Sequence, residues 1–200
     1  MSRTHLIWPA FLLAGIATNA AQSPPPAFTS WPMREAPPEL QMVISQADLI
    51  IVTMHGALLQ ELRDGLARGG ARAALASCHT NATAVSWRLA RGEGIAAGRT
   101  SDRLRDPTNT PRPWAAALVK ANAGRRARDV DGFAVDLGSK VGVLRPIVLQ
   151  PMCLGCHGPA DRISPEVRQL LADRYPQDRA TGFTNGEIRG WYWVEMPKPR

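Results

Sequence analysis

The sequence has few of the residues that build metal clusters. Its 200 residues include only three cysteines and four histidines. Cys153 and Cys156 form a single C-x-x-C pair, and Cys78 stands alone. A structural zinc site usually needs two such pairs, or equivalent histidine ligands, to complete four-fold coordination. The sequence therefore does not favour a structural zinc site.

Other absences narrow the class of protein further. No internal repeat is visible, and no Ser-His-Asp or paired-carboxylate arrangement occurs at a readable spacing. We therefore do not expect an enzyme. Beyond the N-terminus, no stretch stands out as apolar enough to cross a bilayer, so we expect no membrane span after residue 21.

What the sequence does have is the pentapeptide Cys153-Leu154-Gly155-Cys156-His157. This C-x-x-C-H pattern is the attachment signature of a c-type haem, in which two cysteines form thioethers and the histidine binds the iron as proximal ligand. A thioredoxin-like dithiol also uses C-x-x-C, but it normally opens a helix after a strand, whereas Gly158-Pro159 follow here. A simple disulfide remains an alternative in an exported protein.

The N-terminus predicts export. Arg3 precedes an apolar run over residues 6–17, and the small residues Ala20 and Ala21 follow, which is the layout of a secretory signal peptide. We expect a signal peptide at residues 1–21 and a periplasmic mature protein, with an uncleaved N-terminal anchor as the alternative. Export agrees with the haem motif, because thioether attachment takes place outside the bacterial cytoplasm.

The positive charge is almost all arginine. The formal net charge of +7 becomes +6 once Arg3 leaves with the signal peptide. In an exported protein this charge suits haem propionates, acidic redox partners or a membrane surface better than nucleic acid. We expect no nucleic-acid partner, and a solvated basic face without a specific partner remains an alternative.

The remaining pattern predicts an α+β domain. Residues 22–38 are rich in proline and predict an extended linker, with Trp31 a candidate to pack back onto the domain at residues 39–200. Apolar periodicity predicts two long helices at 39–68 and 71–90, divided by Gly69-Gly70. Shorter helices are expected at 111–123 and 164–175, and strands at 95–101, 132–137, 141–149 and 186–195.

Several residues are candidates for the second axial ligand of the iron. Cys78 lies on the apolar stripe of the second helix, so we expect its sulfur to face inward, although a lone inward cysteine is often only a small apolar residue. His55 also lies on an apolar stripe, whereas His79 is about 100° further round its helix and more exposed. Met152 is adjacent to the motif and geometrically awkward. The residue pattern alone leaves this choice open.

Motifs across most of the mature chain resemble a known family. They are Gly69-Gly70, Ala74-Leu75-Ala76-Ser77-Cys78, the stretch from Gly98 to Pro111, Pro146-Ile147, the stretch from Cys153 to Gly158, the stretch from Tyr175 to Phe183, and Gly186-Glu187-Ile188-Arg189-Gly190. In combination they resemble the haem-c-binding bacterial domains catalogued as a domain of unknown function with a PAS-like fold, found alone in the periplasm or as sensor domains. The chain departs from the family pattern at Asp106, where asparagine is usual, and at Gly98, where a basic residue is common.

The resemblance implies a PAS-like antiparallel sheet with long N-terminal helices and one covalent haem c. It further implies that His157 and Cys78 are the axial ligands. A thiolate ligand stabilises ferric iron and lowers the reduction potential. We therefore expect a redox or small-ligand sensor, or alternatively a low-potential electron-transfer cytochrome, acting with an unidentified periplasmic redox or signalling protein. Arg99, Arg103 and Arg105 are candidates to pair with the propionates or the thiolate.

Overall fold

This computed structural model describes the backbone of residues 28–89 and 94–198, and the side chains of the same residues except 77–89. The predicted signal peptide at residues 1–21 and the start of the predicted linker lie outside the described residues.

The centre of the domain is an antiparallel sheet of five strands. They are β1 (Ser30–Pro32), β2 (Ala96–Thr100), β3 (Phe133–Asp136), β4 (Lys140–Val148) and β5 (Ile188–Pro197). Their order across the sheet is β1-β3-β4-β5-β2, so the second strand along the chain pairs with the last. The predicted α+β class, with an antiparallel sheet and long N-terminal helices, is confirmed.

The predicted linker is wrong over residues 30–38, which belong to the domain. Trp31 faces Ala134 in the β1–β3 ladder, and Met33 is buried in the core. Trp31 also packs against that core, as expected. The proline-rich composition hid a strand because an edge strand tolerates residues that cannot donate to a ladder.

The helix α1 (Gln41–Leu89) is broken at the predicted glycine pair. Gly70 has φ 62°, in the left-handed region where a side chain would be strained. The chain folds back at this break and brings the two segments into close contact, so that a Cβ on Gly65 would lie 2.7 Å from the Cα of Ala74. Two helical segments at residues 41–68 and 71–89 therefore stand where the sequence predicts two helices.

The first segment of α1 packs on one face of the sheet. Its buried residues recur at helical spacing and, with Leu40 of the preceding 3-10 turn, meet alternate residues of β3, β4 and β5: Val43, Ile44, Ala47, Ile51 and Met54 against Ala134, Val141, Val143, Tyr192 and Val194. Each large apolar side chain buried in this way stabilises the fold by about 1.5–3 kcal/mol. This packing fixes one wall of the site described below.

The opposite face of the sheet is covered by α2 (Ala116–Ala121) and the turn before it. Trp114 packs there, and its indole N–H donates to Glu195 Oε1 at 2.8 Å. Arg112 Nε donates to the same oxygen at 2.8 Å. The helix is shorter than the predicted 111–123, because Pro113 disfavours helical geometry in the residue before it.

Two further helices follow β4. They are α3 (Leu154–His157), reached through a 3-10 turn at Pro151–Cys153, and α4 (Pro165–Arg174). As predicted, α4 begins at a capping serine, Ser164, which accepts from the backbone N–H of Val167 at 3.3 Å. Its inner face packs on Leu75 of α1.

One helical segment of the described chain, Pro38–Ala76, has the length and apolar composition of a membrane span. The sequence-based expectation that no later stretch has this composition is therefore wrong. Part of this apolar character serves the core through Ile44 and Ile51, while Leu49 and Val52 are exposed. The segment resembles a membrane span only in its length and its apolar composition.

Candidate functional site

A cavity of about 460 Å³ lies between α1, the inner face of β2 and β5, and the segment after β4. Its walls are largely apolar, and they include Leu58, Leu59, Leu62, Leu66, Leu75, Leu104, Ile147, Leu149 and Val167. This volume is within the range of cofactor and small-molecule sites. The fold-back of α1 at Gly70 contributes to the site, because residues from both helical segments line the cavity.

The C-x-x-C-H motif forms part of the cavity wall. Cys153 ends the 3-10 turn, and Cys156 and His157 lie on the single turn of α3. All three residues line the cavity, and the two cysteines are not joined in a disulfide. The structure thus brings these three predicted residues to one wall of one cavity.

A backbone hydrogen bond orients the imidazole of His157. Its Nδ1 lies 2.7 Å from the carbonyl oxygen of Ala180, and Arg189 Nε is 3.1 Å from the same nitrogen. Nδ1 cannot both donate to the carbonyl and accept from the guanidinium. We assign the proton to Nδ1, because its contact to the carbonyl is the shorter and a carbonyl oxygen can only accept. The lone pair is then on Nε2, which makes no hydrogen bond to a described residue.

Burial lowers the pKa of His157 well below its ordinary value, and the positive charges of Arg189 and Arg105 lower it further. The bond to the Ala180 carbonyl opposes this shift. The imidazole is therefore neutral at neutral pH, which is the form that binds a metal.

The segment 178–183 holds the motif in place. Phe183 N donates to the carbonyl oxygen of His157 at 2.9 Å, and Gly182 N donates to that of Gly158 at 2.8 Å. Asp178 Oδ1 accepts from the N–H of Ala180 at 2.7 Å, which fixes the carbonyl that orients His157. The motif and its support are thus connected by several short bonds.

The side chain of Arg105 also connects the segment 178–183 to the motif. Its Nε donates to Asp178 Oδ2 at 3.0 Å, and its Nη2 donates to the carbonyl oxygen of Cys156 at 2.5 Å. Both side chains of the ion pair are about nine-tenths buried, at 11% and 10% exposure. Arg105 therefore has a structural role in supporting the motif, and its charge is already matched.

Arg189 reaches the cavity because β5 contains a bulge. Ile147 faces Gly190 and Val148 faces Ile188, so Arg189 is an extra residue in the ladder. Bulges re-aim side chains in this way beside functional sites. Burial lowers the pKa of Arg189 to about 9, and the nearby Arg105 and Arg99 contribute.

Sequence reasoning did not assign a role to Arg189. The sequence signal that could have identified it is the neighbouring Gly190, since a glycine inside a strand often marks a bulge or a close approach of backbone. A Cβ on Gly190 would come within 2.5 Å of the carbonyl oxygen of Thr100. The roles of Asp178 and the Ala180 carbonyl were also missed, because both depend on the fold bringing residues 178–183 against the motif.

The predicted arginines differ in their partners. Arg103 Nη2 donates to Glu187 Oε1 at 2.7 Å, and its guanidinium lies 3.4 Å from the centroid of the Phe183 ring. The side chain of Arg99 lines the cavity directly, and its guanidinium forms neither a hydrogen bond nor an ion pair with any residue whose side chain is described. Arg99 is thus the predicted arginine that remains open to a ligand.

The candidates for the second axial position are only partly described. His55 lines the cavity, and its Nδ1 lies 3.1 Å from Tyr192 Oη. Burial lowers the pKa of His55, and burial raises the pKa of Tyr192 to about 12. Met152 also borders the cavity. The side chains of Cys78 and His79 lie outside the described residues, so Cys78 as a ligand stays a prediction.

Fold and site together define an α+β domain with a C-x-x-C-H motif on the wall of a cofactor-sized cavity. The chain belongs to the Tll0287-like family, because the family's sequence profile, Tll0287, matches residues 32–197. The resemblance seen in the motifs is thereby confirmed. Among solved structures, the chain is similar to the crystal structure of the cyanobacterial heme-protein Tll0287, with a TM-score of 0.55 and 24% identity over 82% of this chain and 99% of that one. At that identity the likeness shows the fold. None of the curated proteins matches the chain.

Proposed function

We propose that this domain binds one c-type haem, attached through thioethers to Cys153 and Cys156, with His157 as the proximal axial ligand. One observation carries the proposal, which is that the two thiols and the oriented imidazole lie on the same wall of one cavity. Membership of the Tll0287-like family supports it, and the solved protein with the same fold is a heme-protein.

The residues fit such a group chemically. A metal-binding histidine typically donates its second ring N–H to a carbonyl or carboxylate, and the bond from His157 to Ala180 has this form. The apolar walls suit a porphyrin ring. When bound, the haem would supply an iron that changes between ferric and ferrous states, and the chain would orient the ring and exclude water.

For the distal position we propose Cys78, as the inward stripe and the family resemblance imply. His55 is the alternative, and its hydrogen bond with Tyr192 would orient its ring in that case. Two axial protein ligands leave no coordination site for a substrate, so we do not propose an enzyme.

We propose that the domain acts in the periplasm as a redox or small-ligand sensor. The helical segment that carries Cys78 follows the break at Gly69 and Gly70. With Cys78 as a ligand, this segment would be tied to the haem, and a redox change that weakened this tie would let the segment move relative to the first part of α1. A separate redox or signalling protein would detect that movement.

A low-potential electron-transfer cytochrome is the second candidate. It is favoured by the rigid support of the proximal side, where His157 and Gly158 are held by backbone bonds to residues 182 and 183. A carrier needs little structural change between its two redox states, and this support is consistent with that requirement.

The first experiment is secretion of the full chain from a host with haem-attachment machinery. Haem that stays with the wild-type protein through denaturing electrophoresis, and is lost from Cys153→Ala/Cys156→Ala, would support covalent attachment. A wild-type protein without bound haem would overturn the proposal.

The second experiment compares the EPR and optical spectra of Cys78→Ala and His55→Ala. A thiolate-type low-spin ferric signal that disappears only in Cys78→Ala supports the Cys/His site. Hydrogen exchange over residues 71–89 in the ferric and ferrous protein then separates the two functions. Faster exchange on reduction supports a sensor, and equal exchange supports a carrier.

A further inference from the structure

Two guanidinium groups on the β2–β5 wall of the cavity have no carboxylate partner among the described residues. A third arginine without such a partner, Arg162, borders the cavity from the segment after α3 and is exposed. Arg99, on β2, faces Tyr192 of β5 across the ladder, and both side chains line the cavity. Arg189 lies against Nδ1 of His157, and its Nη1 is 3.4 Å from the carbonyl oxygen of Arg103. Neither forms an ion pair with any residue whose side chain the structure describes.

The neighbouring arginines do not share this property. Arg103 is paired with Glu187 and Arg105 with Asp178, at 2.7 Å and 3.0 Å. Arg99 and Arg189 therefore leave an excess of two positive charges on this wall. The other acidic residues that border the cavity are Glu61 on α1 and Asp106, which accepts from Thr108 at 2.7 Å.

An excess of positive charge in a partly desolvated cavity is costly unless an anion matches it. A guanidinium binds a carboxylate through two parallel hydrogen bonds, which favours a carboxylate as that anion. A haem carries two propionate carboxylates, and the β2–β5 wall offers two partly buried arginines without a described carboxylate partner, whereas Arg162 is exposed.

We propose that Arg99 and Arg189 bind the two propionate carboxylates of the haem. The inference rests on the proposed function, and it assigns the wall formed by β2 and β5 to the propionate edge of the porphyrin. The chain would thus orient the porphyrin by thioethers at the motif and by ion pairs at the wall formed by β2 and β5.

The test uses the secreted holoprotein and the variants Arg99→Gln and Arg99→Lys. The matched control is Arg128→Gln, which removes the same charge from a side chain that is 83% exposed. The pH dependence of the reduction potential reports protonation of the propionates. An adjacent arginine typically lowers the pKa of a carboxyl by about 1–3 units, so Arg99→Gln should raise the propionate pKa by about one unit or more. Arg99→Lys should give a smaller rise, and Arg128→Gln should give none.

Arg189→Gln is a second variant with the same expectation. Because Arg189 also touches His157, the decision rests on Arg99→Gln. Covalent haem content should equal that of the wild type in Arg99→Gln, since thioethers do not depend on the propionates.

The outcomes separate this inference from the proposed function. A wild-type protein without covalent haem overturns the proposed function and the inference together. If Arg99→Gln carries covalent haem and its reduction potential has the same pH dependence as that of Arg128→Gln, the inference is wrong and the proposed function stands. Inorganic phosphate at millimolar concentration is the remaining probe. If phosphate changes the spectrum of the wild type but not of Arg99→Gln, the arginine binds a free anion and the inference is wrong.

Discussion

The buried ion pair between Asp178 and Arg105 supports the proximal side of the site, and its removal should be costly. Replacing Asp178 with alanine leaves the guanidinium of Arg105 without its partner and leaves the N–H of Ala180 without its acceptor. Breaking one partner of a buried pair typically costs about 3–5 kcal/mol, because a buried charge is left uncompensated. We expect Asp178→Ala to lower the free energy of unfolding by about 3–4 kcal/mol.

The measurement is urea denaturation of the holoprotein followed by far-ultraviolet circular dichroism. Asp173→Ala is the matched control, because Asp173 is exposed and accepts only a local bond from Gln169. It should change stability by less than about 0.5 kcal/mol. Asp178→Asn should fall between the two, since its side-chain oxygen can still accept from the N–H of Ala180.

A double-mutant cycle tests the reasoning itself. If the cost of Asp178→Ala comes from the uncompensated charge, then Arg105→Ala should add little to it in the double variant. Equal midpoints for Asp178→Ala and Asp173→Ala would refute the structural role given to this pair. Fully additive costs of the two alanine substitutions would show that the two side chains act independently.

Three further predictions concern the sheet and the cavity. Gly190→Ala should lower stability by about 1–3 kcal/mol, because its Cβ would overlap the backbone of β2, while Gly155→Ala meets nothing within 4 Å and should not be destabilising. If Gly190→Ala had the same urea midpoint as the wild type, the close approach of Gly190 to the backbone of β2 would be contradicted. Tyr192→Phe should cost about 1 kcal/mol by removing the hydrogen bond to His55, and an unchanged midpoint would argue against that bond. Burial alone would raise the pKa of Glu195, but hydrogen bonds from an arginine and an indole lower it overall. A carboxyl whose pKa is lower in the folded state adds stability above its unfolded pKa, and that stability is lost as pH falls through the folded pKa. The free energy of unfolding of Glu195→Gln should therefore fall less than that of the wild type between pH 6 and about pH 3. Parallel plots of unfolding free energy against pH for the two proteins would contradict this.

Local sequence patterns predicted most of the elements of the fold. The four strands at 95–101, 132–137, 141–149 and 186–195 and the helix after Ser164 occur within a few residues of their expected positions. Turn residues and apolar periodicity act over short distances, so they can be recognised in sequence. The strand at Ser30–Pro32 was missed because its pairing with β3 is a long-range contact that leaves no local pattern.

Only part of the candidate site could likewise be predicted from the sequence. Cys153, Cys156 and His157 could be recognised because they are adjacent in sequence and their spacing matches one porphyrin. The partners of His157 could not be recognised, since Ala180 and Arg189 approach it only after the chain has folded. Among the arginines, sequence suggested a role in ligand binding, but only the pairing of Arg103 and Arg105 with carboxylates distinguishes Arg99 from them.

The sequence by itself determined the motif that points to haem, the break in the long helix and the α+β class, because each depends on residues close together in the chain. Tertiary structure decided the rest. It placed the motif on a cavity that both segments of α1 line, brought Arg189 to that cavity through a bulge, and left two arginines on the wall formed by β2 and β5 without a carboxylate partner among the described residues. These features depend on strand register and on which charges meet, and both are fixed only when distant parts of the chain pack together.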